Sequence, residues 1–237
     1  MIRAVQKSIR TTFAAGLNLA LLISVLCGPL SRRAHAMSLF ERGASTQDNG
    51  WTALKTDDGV FFIWNRPTMS FTLAIKGTNI QPMDAGDNIF FKVDGLTLQI
   101  QSLPISNFAP DARKNKLDDK SILIAHRDWE TNFIEQELIH KKISVVTSSE
   151  KLANGSDILI WQYEMPEGFK NPDAQKQMYV TVVAKDYLIL LNGVVSAKDS
   201  DAAIRSFLLD KLSTLKISST PIDVKKIQEA IRAGRQP

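Results

Sequence analysis

The sequence predicts an α+β fold, a mostly antiparallel sheet covered by a mid-chain helix and a C-terminal helix. Three observations carry this. Asp94-Gly95 and Lys185-Asp186 each separate two strand-like apolar runs, and links that short make antiparallel hairpins, because parallel neighbours need a long crossover. Ser121–His140 and the segment after Asp201 repeat apolar residues at helical spacing. The 237 residues are 44% hydrophobic and 23% charged, the composition of a globular chain with room for one sizeable core.

The N-terminus reads as a secretory signal. Arg3, Lys7 and Arg10 form a basic region without an acid, Thr11–Leu26 is apolar or small apart from Asn18 and Ser24, and Gly28-Pro29 breaks the helix. Ala34-His35-Ala36 supplies the small-x-small pattern that a signal peptidase reads. Residues 1–36 are therefore expected to be a signal peptide, and the protein to be exported, periplasmic or secreted. Two alternatives use the same residues. Phe13–Leu30, about 18 residues, is at the lower limit for spanning a bilayer, and would be a membrane tether if the leader stayed on. Arg32 and Arg33 on its far side oppose that orientation. Cys27 would be the acylated residue of a lipoprotein, but Leu26 stands where such a signal wants a small residue.

Removing the leader changes the charge. The whole chain is +4, with 29 basic and 25 acidic residues. The leader holds Arg3, Lys7, Arg10, Arg32 and Arg33 and no acid, so 24 basic residues then face 25 acidic ones. The excess that would point to nucleic acid belongs to the leader, and no nucleic-acid partner is expected. Cys27 is the single cysteine, so the chain after residue 36 has no disulfide, thiolate metal site or cysteine nucleophile.

The elements follow in order. Residues 37–56 read as a flexible lead-in, with one helical turn at Ser38–Arg42, and Trp51 in this polar stretch is expected to be core or to cover a sheet edge. The α+β domain is expected over residues 57–217. Asp57-Asp58-Gly59 is a turn, Val60–Trp64 a buried strand and Met69–Lys76 a half-buried one. Residues 77–86 read as a loop. Ile89–Val93 and Leu96–Gln101 flank Asp94-Gly95. Pro104–Lys120, with its mixed charges, reads as a solvated linker. Asp118 or Asp119 caps a helix over Ser121–His140. Strands are expected at Lys142–Thr147, Ile158–Tyr163, Met178–Ala184 and Tyr187–Leu191, with a turn at Ala153-Asn154-Gly155. Asp199, Ser200 and Asp201 open the second helix, whose apolar arc is Ile204, Phe207, Leu208, Leu212 and Leu215. Residues 218–237 are a short helix and tail, with a cap at Thr220, Pro221 in the first position and Gly234 past the end. The tail's Lys225, Lys226, Arg232 and Arg235 read as a solvated face with weak docking.

The run from Ile158–Tyr163 through Tyr179–Ala184 and Leu188–Val195 into the helix at Ile204-Arg205-Ser206-Phe207 resembles the PsbP-like α/β/α sandwich. The resemblance covers roughly residues 57 to 217 and rests on element order. It implies an antiparallel sheet covered by a mid-chain and a C-terminal helix. It also implies a place among photosystem accessory proteins and small binding or assembly factors, most of which are not enzymes. It carries no metal-site residues onto this chain.

The chemistry-bearing candidates lie on the mid-chain helix. His126, Glu130, Glu137 and His140 fall within about 80° of one direction on a helix of 3.6 residues per turn, beside Ile122 and Phe133. Glu137-Leu138-Ile139-His140 has the Glu-x-x-His spacing of carboxylate-bridged metal sites, and His126 with Glu130 at i, i+4 has the spacing to share a metal or a proton. The alternative is an ordinary hydrogen bond at a helix edge. There is no G-x-S-x-G, so Ser148-Ser149 and Ser218-Ser219 read as loop serines, and no glycine-rich phosphate loop. No cofactor is expected. The expectation is an exported, non-catalytic binding or assembly accessory of the cell envelope, with an unidentified envelope protein or small ligand as partner. The second reading is a metal-assisted hydrolase using His126, Glu130, Glu137 and His140.

Overall fold

In the computed structural model, which describes residues 50–85, 88–170 and 172–235, Asp94 and Gly95 both take positive φ, 49° and 93°. That pair of left-handed residues reverses the chain in two steps, as the Asp-Gly sequence requires. The same economy of turns recurs through the chain, and the described strands form two antiparallel sheets of four and seven strands. With three α-helices among the described residues, the class is α+β. The leader, Cys27 and the turn expected at Ser38–Arg42 lie outside the described residues.

Two compact units are distinguished among the described residues, one over residues 100–204 and one over residues 50–99 with 205–235. In the second, β1 (Trp51–Thr56), β2 (Gly59–Asn65), β3 (Ser70–Lys76) and β11 (Lys216–Ser218) pair antiparallel in that order. The continuous apolar run of β2 is explained by burial on both faces. Phe62 packs on Phe71 and, edge-on, on Phe91, at ring separations of 5.9 and 6.3 Å. Phe61 and Ile63 face the other way and join Leu54 beneath α3 (Val224–Arg232). None of the residues of α3 is itself fully buried. Its stripe of Val224, Ile227 and Ile231, with Ile222, lies on that sheet face. Asn65 fastens the approach to it, donating from Nδ2 to the Ile222 carbonyl and accepting from the Ile222 N–H, each at 2.9 Å.

Several boundaries in this unit correct the sequence reading. Trp51–Thr56 is a strand and not part of a lead-in: its weakly apolar Thr and Ala hide the alternation, and full-length pairing with β2 decides it. Trp51 stacks on Phe62 at 6.0 Å. Residues 77–86 are not all loop, since β4 (Ile80–Ala85) pairs with β5 (Asn88–Val93). β4 accommodates Pro82 because proline is tolerated on a sheet edge. The cap of α3 is Asp223, whose side chain accepts from the Lys226 N–H at 3.1 Å, and not Thr220. Gly234, at φ 67°, does lie just past its end.

In the other unit, β10 (Tyr187–Val195), β9 (Lys176–Ala184), β8 (Asp157–Glu164) and β7 (Val145–Lys151) pair antiparallel in that order, and α1 (Asp119–Phe133) packs on β8 and β9. β6 (Leu96–Pro104) and α2 (Asp201–Ser213) each run from one unit into the other along the chain. Asp118 caps α1 by accepting from the Ser121 N–H at 2.8 Å. Ser200 caps α2, its Oγ accepting from the Ala203 N–H at 3.1 Å. Ile204, Leu208 and Leu212 of α2 are buried, whereas Leu215 lies beyond its end. The segment read as a solvated linker contributes Ile105 and Ala112 to a small core with Ile122.

The mid-chain helix does not run as one α-helix to His140. After Phe133 it widens into a π turn, Ile134–Leu138. The expected strand at Lys142–Thr147 starts later, at Val145, because Lys142 and Ile143 are engaged with Glu135. Lys142 pairs with that carboxylate, and the Ile143 N–H donates to it at 3.0 Å.

Candidate functional site

The inward face of α1 is unusual in what it buries. Ile122 and Leu123 are ordinary core residues, but His126 is also fully buried. Phe108 meets its ring edge-on at 5.1 Å, and Trp129 and Trp161 stand 6.1 and 6.5 Å away. Neither ring nitrogen has a hydrogen-bond partner among the described residues. Burial without a counter-charge disfavours the imidazolium and pushes the His126 pKa down to about 3. One turn on, Glu130 keeps a little residue surface, yet its carboxyl sits deep enough that desolvation raises its pKa to about 7.

The sheet below α1 completes a nest that sequence reasoning missed. Strand alternation puts Trp161 and Tyr163 of β8 on one face, and the β8–β9 register sets Tyr179 opposite Trp161. The Trp161 and Tyr179 rings stack at 3.9 Å with planes 2° apart. Tyr179 donates its hydroxyl proton to Gln177 Oε1 at 2.6 Å. The register also sets Asn192 of β10 opposite Tyr179. Trp161 Nε1 and Asn192 Oδ1 are buried without hydrogen-bond partners among the described residues. Burial raises the pKa of both tyrosines, and the nearness of Glu130 adds to this. Near neutral pH the nest thus holds a neutral imidazole, a carboxyl close to its titration point and two neutral phenols.

The four residues proposed from sequence do not converge. Glu137 and His140 are exposed, and His140 lies past the helix with φ 51°. Among the described residues no three of His, Cys, Asp and Glu stand close enough to hold a metal. The α-helix gives way to a π turn over Ile134–Leu138, in which Glu135 is the buried carboxyl and Glu137 is exposed. Glu135 is held ionised by Lys142 first and by the Ile143 N–H second, which lower its pKa.

A concavity of a different kind lies in the unit built on β1, β2, β3 and β11. Of about 540 Å³, it opens on the sheet face that α3 only partly covers. Phe61 and Ala74, opposite each other in the β2–β3 register, line it with Leu215 and Ile231. Its rim carries the Asp58–Lys76 ion pair (3.5 Å) and Arg235. Thr214 holds the adjoining chain to β3 by accepting from the Ala74 N–H at 2.9 Å. No histidine lines this groove. The chain matches no protein-family model, and no curated protein is similar to it.

Proposed function

We propose that the protein is an exported, non-catalytic binding or assembly accessory of the cell envelope, and that the groove beside α3 is its binding site. The observation that carries this reading is a separation. The open concavity combines an apolar floor, with Phe61, Ala74, Leu215 and Ile231, with charged and hydroxyl side chains of both signs around it, so it offers both burial and polar contacts to a ligand. The titratable pair His126 and Glu130 is elsewhere, under α1, and lines neither that groove nor the two concavities found on its own unit. The leader pattern supports export, and the PsbP-like element order belongs to the same proposal.

Two results test it. Protein purified from its own host is expected to have a mass beginning at Met37. An intact mass from Met1 in the membrane fraction sinks the cleaved-export reading in favour of a tether. The dye anilinonaphthalene sulfonate is expected to bind the folded protein at one site, and Ala74→Phe or Leu215→Trp, each filling the groove, to weaken it about tenfold, or 1.4 kcal/mol. Circular dichroism would show both variants folded. Unchanged dye binding in both folded variants removes the groove as the site.

A further inference from the structure

Among the described residues the four sheet edges differ in how they are guarded. β4 carries Pro82, β11 is three residues long with Lys216, and β1 carries the exposed Lys55. Proline, lysine and shortness are the usual means by which edge strands refuse a further strand. β7 has none of them over Val145–Ser149. It pairs with β8 along all seven residues, from Val145 opposite Tyr163 to Lys151 opposite Asp157, with no bulge to twist its outer side away. Its side chains are exposed on both faces at Val146, Thr147, Ser148 and Ser149, and Val146 is 63% exposed. Arg127 reaches Thr147 Oγ1 only at 3.5 Å. The outer side of β7 thus offers a straight row of backbone donors and acceptors flanked by small, uncharged, strand-favouring side chains.

We infer that β7 is the contact by which two copies of this chain join, antiparallel about a two-fold axis beside Thr147. The sequence of the strand suits itself in that arrangement. Thr147 meets Thr147 of the second copy, a favourable cross-strand pair. Val146 meets Ser148 and Val145 meets Ser149, so no charges are opposed across the paired segment. An isologous pairing also uses up both open edges and closes, whereas pairing β7 with a different edge of the next copy would leave an edge at each end to continue. The inference is independent of the groove.

Sedimentation of the purified protein over a wide concentration range tests it. The expected result is a dimer, converted to a monomer by Thr147→Lys with an unchanged circular dichroism spectrum, because two lysines would then meet at the axis. Val146→Lys gives a second reading of the same edge. The chain after residue 36 has no cysteine, so Thr147→Cys is expected to form a disulfide-linked dimer under mild oxidation. A wild-type monomer at every concentration overturns the inference, as does a dimer that survives both lysine variants. Capture by Thr147→Cys of a different protein of the host, with no self-linked dimer, overturns it in favour of a partner's strand.

Discussion

Glu130→Gln and His126→Leu are expected to give opposite dependences of stability on pH. His126 is held neutral, with a pKa near 3 in the fold against 6.5 for a free imidazole. In that interval the unfolded chain binds the proton and the native one does not, so His126 removes stability as pH falls below about 6.5. Glu130 does the reverse. Its carboxyl holds a proton up to about pH 7 in the fold, against 4.5 when free, so it removes stability as pH rises from about 4.5 to 7. In the wild type the two slopes cancel between about pH 4.5 and 6.5, and stability is level there. It falls on the acid side, more steeply because the carboxylates of Glu135 and Asp201, their pKa values lowered by Lys142 and Lys176, also lose their partners. At about 1.4 kcal/mol per pKa unit, going from pH 8 to pH 5 should cost Glu130→Gln about 2 kcal/mol. The same change should add about 2 to 3 kcal/mol to His126→Leu. Urea unfolding at a series of pH values checks this. Parallel profiles for the two variants would mean that neither group is buried as described.

Gly59→Ala is expected to be among the most damaging single substitutions in the protein. Gly59 opens β2 directly after the Asp57-Asp58 turn, with φ at 155°. A Cβ there would lie 2.1 Å from the Ile75 carbonyl oxygen, an atom of the neighbouring strand's backbone. Relief requires β2 and β3 to part at the strand carrying Phe61, Phe62 and Ile63, and the expected loss is about 4 kcal/mol, the severe end for one residue. Gly95→Ala is the control. Gly95 also has positive φ, 93°, but a Cβ there meets nothing within 4 Å, so only the backbone preference is lost, about 1 kcal/mol. Urea midpoints separate the two effects. Equal losses would show that conformation and not the clash with β3 governs position 59.

How far the sequence could be read depended on how strongly each segment spoke for itself. The run Val60–Trp64 is apolar at every position and could only be a strand buried on both faces. Trp51–Thr56 carries Thr, Ala and Lys among its apolar residues, and it becomes a strand because β2 lies beside it for its whole length. The helix over α1 was legible in its cap and in the inward direction of His126 and Glu130. Projection at a constant angle per residue then failed beyond Phe133, where a π turn replaces the α-helix and the buried carboxyl is Glu135, covered by Lys142 and Ile143, and not Glu137. Of the four residues proposed from sequence, His126 is buried and Glu130 half-buried on the same face of α1. Trp161, Tyr163, Tyr179, Gln177 and Asn192 carried no signal of their own, since alternation along a strand says that a residue faces inward and not what it faces.

The α+β class, the Asp94-Gly95 hairpin, a cap at Asp118 or Asp119 and the inward placing of His126 with Glu130 were determined by the sequence alone. Each depends on interactions within a few residues: a turn's φ preference, a side chain reaching the next turn's N–H, a repeat of 3.6. The tertiary structure alone decided that His126 lacks a hydrogen-bond partner, that Trp161 lies flat on Tyr179, that a groove remains beside α3 and that β7 is left at an edge. Those outcomes are set by strand register and by which element lies over which, between residues tens of positions apart. Local periodicity specifies a direction for each side chain, and only the assembled chain supplies what stands in that direction.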